Sequence, residues 1–158
     1  MKFIAAAASA LVLAIIGLTA ANAAAGTRPP ATEHFEAMST NPVSAVATLI
    51  ARGPLTIGGT VNLETGRAVL PGGKLTLAHH QLRGSSSFSS RTCLATVTSS
   101  GTYRITGGTG RYGHVRGHGD YQLTAYAIVA RVDGKCGTKV VPHAQETLLT
   151  ASGPIQQW

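Results

Sequence analysis

Charge is scarce in this chain. Of its 158 residues, 13 are Lys or Arg and only 6 are Asp or Glu. The cations are scattered, with no block of like charge and no ladder of basic and aromatic residues. Aromatic residues make up 5% of the chain, so the stacking platforms of single-strand nucleic-acid binders are missing. Carboxylate-pair glycoside chemistry would have to draw on Glu64, Glu146, Asp120 and a few N-terminal residues, and Glu64 sits in a turn-like stretch. A Gly-x-Ser-x-Gly elbow is absent, which removes the usual serine-hydrolase signature. No cofactor motif stands up, and no histidine spacing argues for a metal. His114 and His118 are four apart, but the glycines around them rule out the helix that would place both on one face. No nucleic-acid partner is expected.

Cysteine is almost absent as well. Cys93 and Cys136 are the 2 in the chain, too few for a disulfide-dense scaffold. In an oxidising compartment they are expected to pair, closing a loop of about 44 residues worth about 4 kcal/mol on the loop-entropy account. The alternative is a catalytic thiol, which would need an activating base.

One long apolar run is present, at the start. Lys2 is a short positive region, Ile4 to Leu18 are apolar, and Ala21-Asn22-Ala23 and Ala23-Ala24-Ala25 offer small-x-small sites. Residues 1–25 therefore read as a cleavable signal peptide, too short to span a bilayer of roughly 20 residues' depth. The expectation is a secreted, extracytoplasmic protein with no integral membrane segment after cleavage. The full chain's net charge of +7, which becomes +6 once Lys2 leaves with the signal (12 Lys and Arg against 6 Asp and Glu), and its pI near 10.0 suit an acidic envelope polymer or anionic lipid headgroups as partner, or serve solubility.

No helical period follows the signal. Gly26 to Pro42, with Pro29, Pro30 and Pro42, reads as a flexible leader (26–42), and 43–158 as the folded domain. Val43 to Ala51 is the first strand candidate, apolar on both faces. Lys74 to His80 alternates, with Leu75, Leu77 and His79 on one face, so His79 is expected to point inward. Gln81 to Ser90, rich in serine, reads as a loop near a barrel mouth. Ser99-Ser100-Gly101 reads as a turn, and Asp120 to Asp133 as the longest strand, with Tyr121, Leu123 and Ala125 sharing a face opposite Tyr126. Thr138 to Val141 and Gln145 to Ala151 close the sheet, and Gly153-Pro154 ends it. Short strands separated by turn signals indicate an all-β barrel or sandwich.

The stretch from Gly101 to Tyr121 carries Gly107, Gly108, Gly110, Gly113, Gly117 and Gly119 among strand formers. Gly108-Thr109-Gly110-Arg111-Tyr112-Gly113 has the G-x-G-x-x-G spacing, but no helix follows to aim amides at a pyrophosphate. Ile105-Thr106-Gly107-Gly108-Thr109-Gly110-Arg111-Tyr112, with Val115-Arg116-Gly117, resembles instead the glycine segment of dirigent proteins. It is also similar to that of allene oxide cyclases. The likeness covers about 20 residues. It implies a single antiparallel β-barrel of about eight strands with an apolar cavity. It also implies that Tyr112 and Arg116 occupy the family's aromatic and Arg positions. The expected function is an interior site for a small lipophilic molecule, with His79, Tyr112, Arg116, Tyr121 and Tyr126 as its polar handles. A dirigent- or cyclase-like enzyme that confines a reactive ligand, and a basic envelope-associated structural or adhesion module, are the other two readings.

Overall fold

The computed structural model describes residues 30–137 and 141–156. The proposed signal segment and most of Thr138 to Val141 lie outside them. Ten strands form: β1 (Ala31–Ser39), β2 (Val46–Arg52), β3 (Ile57–Asn62), β4 (Arg67–Leu70), β5 (Gly73–Ser89), β6 (Leu94–Gly110), β7 (Arg116–Ile128), β8 (Arg131–Val132), β9 (Lys135–Cys136) and β10 (Ala144–Gln156). Eight of them close into one antiparallel barrel in the order β1-β10-β7-β6-β5-β4-β3-β2, with β1 also pairing β2. β8 and β9 form a separate two-stranded hairpin.

The barrel begins earlier than the sequence suggests. Ala31 to Ser39 is no leader but a full strand hydrogen-bonded on both sides. Glu33, Phe35, Ala37 and Ser39 are buried while Thr32, His34, Glu36 and Met38 face out. That two-residue period is the strand signature, and a buried glutamate interrupts its apolar face. β2 buries Ala47, Leu49 and Ala51 but exposes Val46 and Ile50, so only one face of the expected doubly apolar strand is covered. In a small barrel the outer face stays wet.

Two expected breaks are continuous strand. Gln81 to Ser89 pairs with β6 from Arg83↔Ser100 to Ser89↔Leu94, after a bulge between Gln81 and Arg83. One of its serines bonds across the ladder, where Ser85 Oγ and Thr98 Oγ1 lie 2.8 Å apart. Ser99 to Gly101 runs straight through β6, and the reversal comes at Arg111 to His114 instead. β5 and β6, at 17 residues each, are the longest strands, longer than the 13-residue β7. β10 likewise passes through Gly153 and Pro154, pairing Thr32 with Pro154.

The short strands β1 to β4 and the long strands β5, β6, β7 and β10 produce an asymmetric object. At one end, where β1 starts and β10 finishes, Leu55, Leu70, Tyr112, Val115, Ile105 and Ile155 are all buried and seal the barrel. At the other end β5, β6, β7 and β10 run on past the rim as a flange. The flange tip is pinned covalently: Cys93, in the β5–β6 turn, is disulfide-bonded to Cys136 in β9, with Cα atoms 5.4 Å apart. Arg131 reinforces the same junction by donating to the Ser90 and Arg91 carbonyls.

Candidate functional site

Inward-facing side chains leave a cavity of about 270 Å³ inside the barrel. Its wall is apolar, from Phe35, Leu49, Ala68, Leu75 and Leu77, and its rim carries Asn62, His79, Gln81, Ser99, Tyr121, Leu123 and Leu149. Phe35, Ala68 and Leu75 are buried, whereas the inward-facing His79 and Gln81 are exposed, so the cavity opens toward the flange.

His79 projects inward from β5, on the face that the alternation of Leu75 and Leu77 assigns it. Its ring meets that of Tyr121 at 87°, with centroids 5.9 Å apart. The Tyr121 hydroxyl lies 3.2 Å from Ser99 Oγ on the neighbouring strand. Asn62 uses its Oδ1 to accept the Glu64 and Thr65 amides, which shapes the β3–β4 turn at the rim. Tyr103, deeper in the wall, packs its ring at 89° against Phe35, centroids 6.0 Å apart.

Beyond the lining, toward the sealed end, the fold buries polar chemistry. Glu33 has no exposed surface; its Oε2 accepts the Leu55 amide at 2.8 Å, and its Oε1 has no partner. The Tyr103 hydroxyl is also buried and unpartnered. Burial holds the Glu33 carboxyl above the usual carboxylate range, against the lowering pull of the Leu55 amide and His34. Burial first, then the charges of Glu33 and Asp120, push Tyr103 up to about 12. Tyr103 sits opposite Gly119, and Glu33 opposite Gly153. A Cβ on Gly119 would meet the Ser152 carbonyl at 2.0 Å and the Gly153 Cα at 2.8 Å, so β7 and β10 approach closely here.

Of the five residues nominated from the sequence, the structure brings together two, His79 and Tyr121. Tyr112 is buried at the sealed end, where its hydroxyl donates to the Pro71 carbonyl at 2.8 Å and the Arg111 guanidinium lies over its ring at 5.5 Å. It locks the turn after β6. Arg116 is exposed and donates to the Gly113 and Val115 carbonyls, bracing the start of β7. Tyr126 points outward and is 44% exposed. Its placement follows from parity, since it lies an odd number of residues from Tyr121. Ser99, Gln81 and Asn62 join His79 and Tyr121 at the rim without a signal in the sequence pattern. Ser99 and Gln81 were hidden in stretches that read as turn and loop.

The chemistry available at the cavity is limited. Ser99 is bonded to a phenol and not to a base, and no carboxylate lines the wall. Among the described residues, the cavity wall holds no nucleophile bonded to a general base. Among the described residues, no group of three or more His, Cys, Asp or Glu is placed to hold a metal ion. A second, more open depression of about 930 Å³ lies on the outer face beside His80, Arg104, His118 and Asp120, where charges of both signs face solvent. The chain matches no known family model, no curated protein and no solved structure.

Proposed function

We propose that this is an exported binding barrel that holds a small lipophilic molecule in its interior. The observation that carries the reading is an apolar cavity of about 270 Å³, sealed at one end and rimmed with polar groups at the other. A cavity of roughly 150 Å³ takes up benzene, so this one suits a ligand of about ten non-hydrogen atoms. Apolar burial would supply most of the affinity at about 25 cal/mol per Å². Asn62, His79, Gln81 and the Ser99–Tyr121 pair would meet a polar end of the ligand at the mouth. The resemblance to dirigent and cyclase barrels fits such confinement, but the Arg it nominates, Arg116, stands outside the cavity.

Native mass spectrometry of the secreted protein, repeated after organic extraction, tests the reading. The expected result is a released lipophilic species of low mass, and displacement of an apolar fluorescent dye by it. Leu149→Trp, which places bulk at the rim, should abolish dye uptake while leaving the strand content unchanged. No dye uptake by the wild-type chain would overturn the proposal. Turnover of an added phenolic or epoxide substrate would move it to the enzyme reading. Salt-sensitive retention on cell-envelope fractions by a chain that takes up no dye would move it to the envelope module.

A further inference from the structure

We infer that the flange tip is a docking surface for anionic lipid bilayers. The tip is assembled from the β5–β6 turn and the β8–β9 hairpin, which the disulfide and the Arg131 hydrogen bonds hold together, and from the approach to β10, where the His143 amide donates to the Ile128 carbonyl. It exposes large apolar side chains where a barrel in water gains nothing from them. Phe88 is 48% exposed, Val132 53% and Val141 61%. Around them stand Arg91, Arg131 and Lys135, against two exposed carboxylates, Asp133 in the hairpin turn and Glu146 on the outer face of β10.

Apolar groups ringed by cations are the chemistry of a headgroup interface. The cations gain from the negative surface potential and the side chains reach the acyl boundary. An acidic soluble polymer would use the cations alone and leave Phe88, Val132 and Val141 in water. The disulfide matters because it makes the patch rigid, so little chain entropy is lost on docking.

The patch is also placed at the open end. From the rim at Ser99 to the turn at Leu94, β6 climbs roughly 17 Å at 3.3 Å per residue. The flange's inner face along that climb carries Val97, Ala95 and Phe88, with Ala125 and Ala127 on β7, a continuation of the cavity wall in register. If the cavity holds a lipophilic cargo, which is the reading proposed above, this ramp connects it to the bilayer. The docking itself does not depend on that cargo.

Co-sedimentation with vesicles tests it, comparing pure phosphatidylcholine with equal parts phosphatidylcholine and phosphatidylglycerol. The wild-type chain should bind only the anionic vesicles, and less so as salt rises. The double variant Arg91→Glu/Lys135→Glu should weaken binding by at least about tenfold, since each basic group near the surface is worth about a fivefold factor. Lys74→Glu/Arg116→Glu makes the same charge change at the sealed end and should cost less than about threefold. Phe88→Ser, at an exposed site that the fold does not need, should also weaken binding. Absence of binding to anionic vesicles would overturn the inference. So would equal losses from the two charge pairs, which would mean attraction by net charge alone. Wild-type affinity in Phe88→Ser, together with equal binding to soluble polyglutamate, would overturn it in favour of an acidic polymer.

Discussion

The rings of His79 and Tyr121 stand at 87° to each other at the mouth of the barrel, and the Tyr121 hydroxyl reaches Ser99 on the next strand. The three side chains come from β5, β7 and β6, so the contact ties the rim across the point where the flange departs. Tyr121→Phe keeps the ring contact and deletes the hydrogen bond. It should lower stability by about 1 kcal/mol, read from the denaturant midpoint at unchanged slope.

Glu33 gives stability a dependence on pH. Its native pKa lies above the ordinary 4.5, so the folded state holds the proton more tightly than the unfolded chain. Stability is therefore fully retained below the ordinary value and declines as pH rises through the raised native one. Glu33→Gln should flatten that decline and leave the protein equal or more stable at neutral pH. Glu33→Ala should instead cost about 1–3 kcal/mol, because the Leu55 amide loses its acceptor. Thermal melts across acid to neutral pH check both.

Tyr103 does the same at alkaline pH. A native pKa of about 12 against an ordinary 10.0 means that stability falls as pH rises between those values, while the phenol stays protonated in the fold and ionises in the unfolded chain. Tyr103→Phe removes a buried hydroxyl with no partner and should be within about 0.5 kcal/mol of wild type at neutral pH, or better. Its melting temperature should drop less than that of the wild type above pH 10.0.

The glycines of the Gly101–Tyr121 stretch are not equivalent. A Cβ on Gly107 meets nothing within 4 Å, whereas one on Gly119 strikes the Ser152 carbonyl at 2.0 Å. Gly107→Ala should be neutral or stabilising by up to about 0.5–1 kcal/mol. Gly119→Ala should cost about 1–3 kcal/mol or more, because a β7–β10 backbone contact must open. Parallel denaturation curves of the two variants decide this.

Removing the Cys93–Cys136 bridge, with both residues changed to Ser, should lower stability by about 2–4 kcal/mol. Hydrogen exchange should show the loss of protection greatest at Lys135 and Cys136 and smallest in β2 and β3, which lie far from the bridge along the sheet.

Much of the barrel was legible because parity is simple. Leu75, Leu77 and His79 share a face in any strand, so the inward His79 follows from alternation, whereas on β7 alternation separates Tyr121 from Tyr126 without saying which of them faces in. The inward face of β1 was illegible because it is filled by Glu33, a residue rarely buried, and bounded by prolines. The serine run of β5 was illegible because serine favours turns, and only pairing with β6 makes it a strand. Arg116 and Tyr112 were drawn from a short resemblance. That segment shapes the sealed end, where glycines let strands close together, and not the open one.

Barrel closure has a corollary in the serine run. A closed sheet has no free backbone, yet past Leu77 the β5 strand has a neighbour on one side only, because β4 has ended. That leaves a length of unpaired amides and carbonyls running to Ser89, the geometry through which β proteins recruit one another into fibrils. Gln81-Leu82-Arg83-Gly84-Ser85-Ser86-Ser87 is poor material for such growth. It offers a bulge, a cation, a glycine and hydroxyls that compete for the same hydrogen bonds. What looks like filler is a guard rail: it lets the chain extend its wall beyond the closed ring without inviting another copy to continue it.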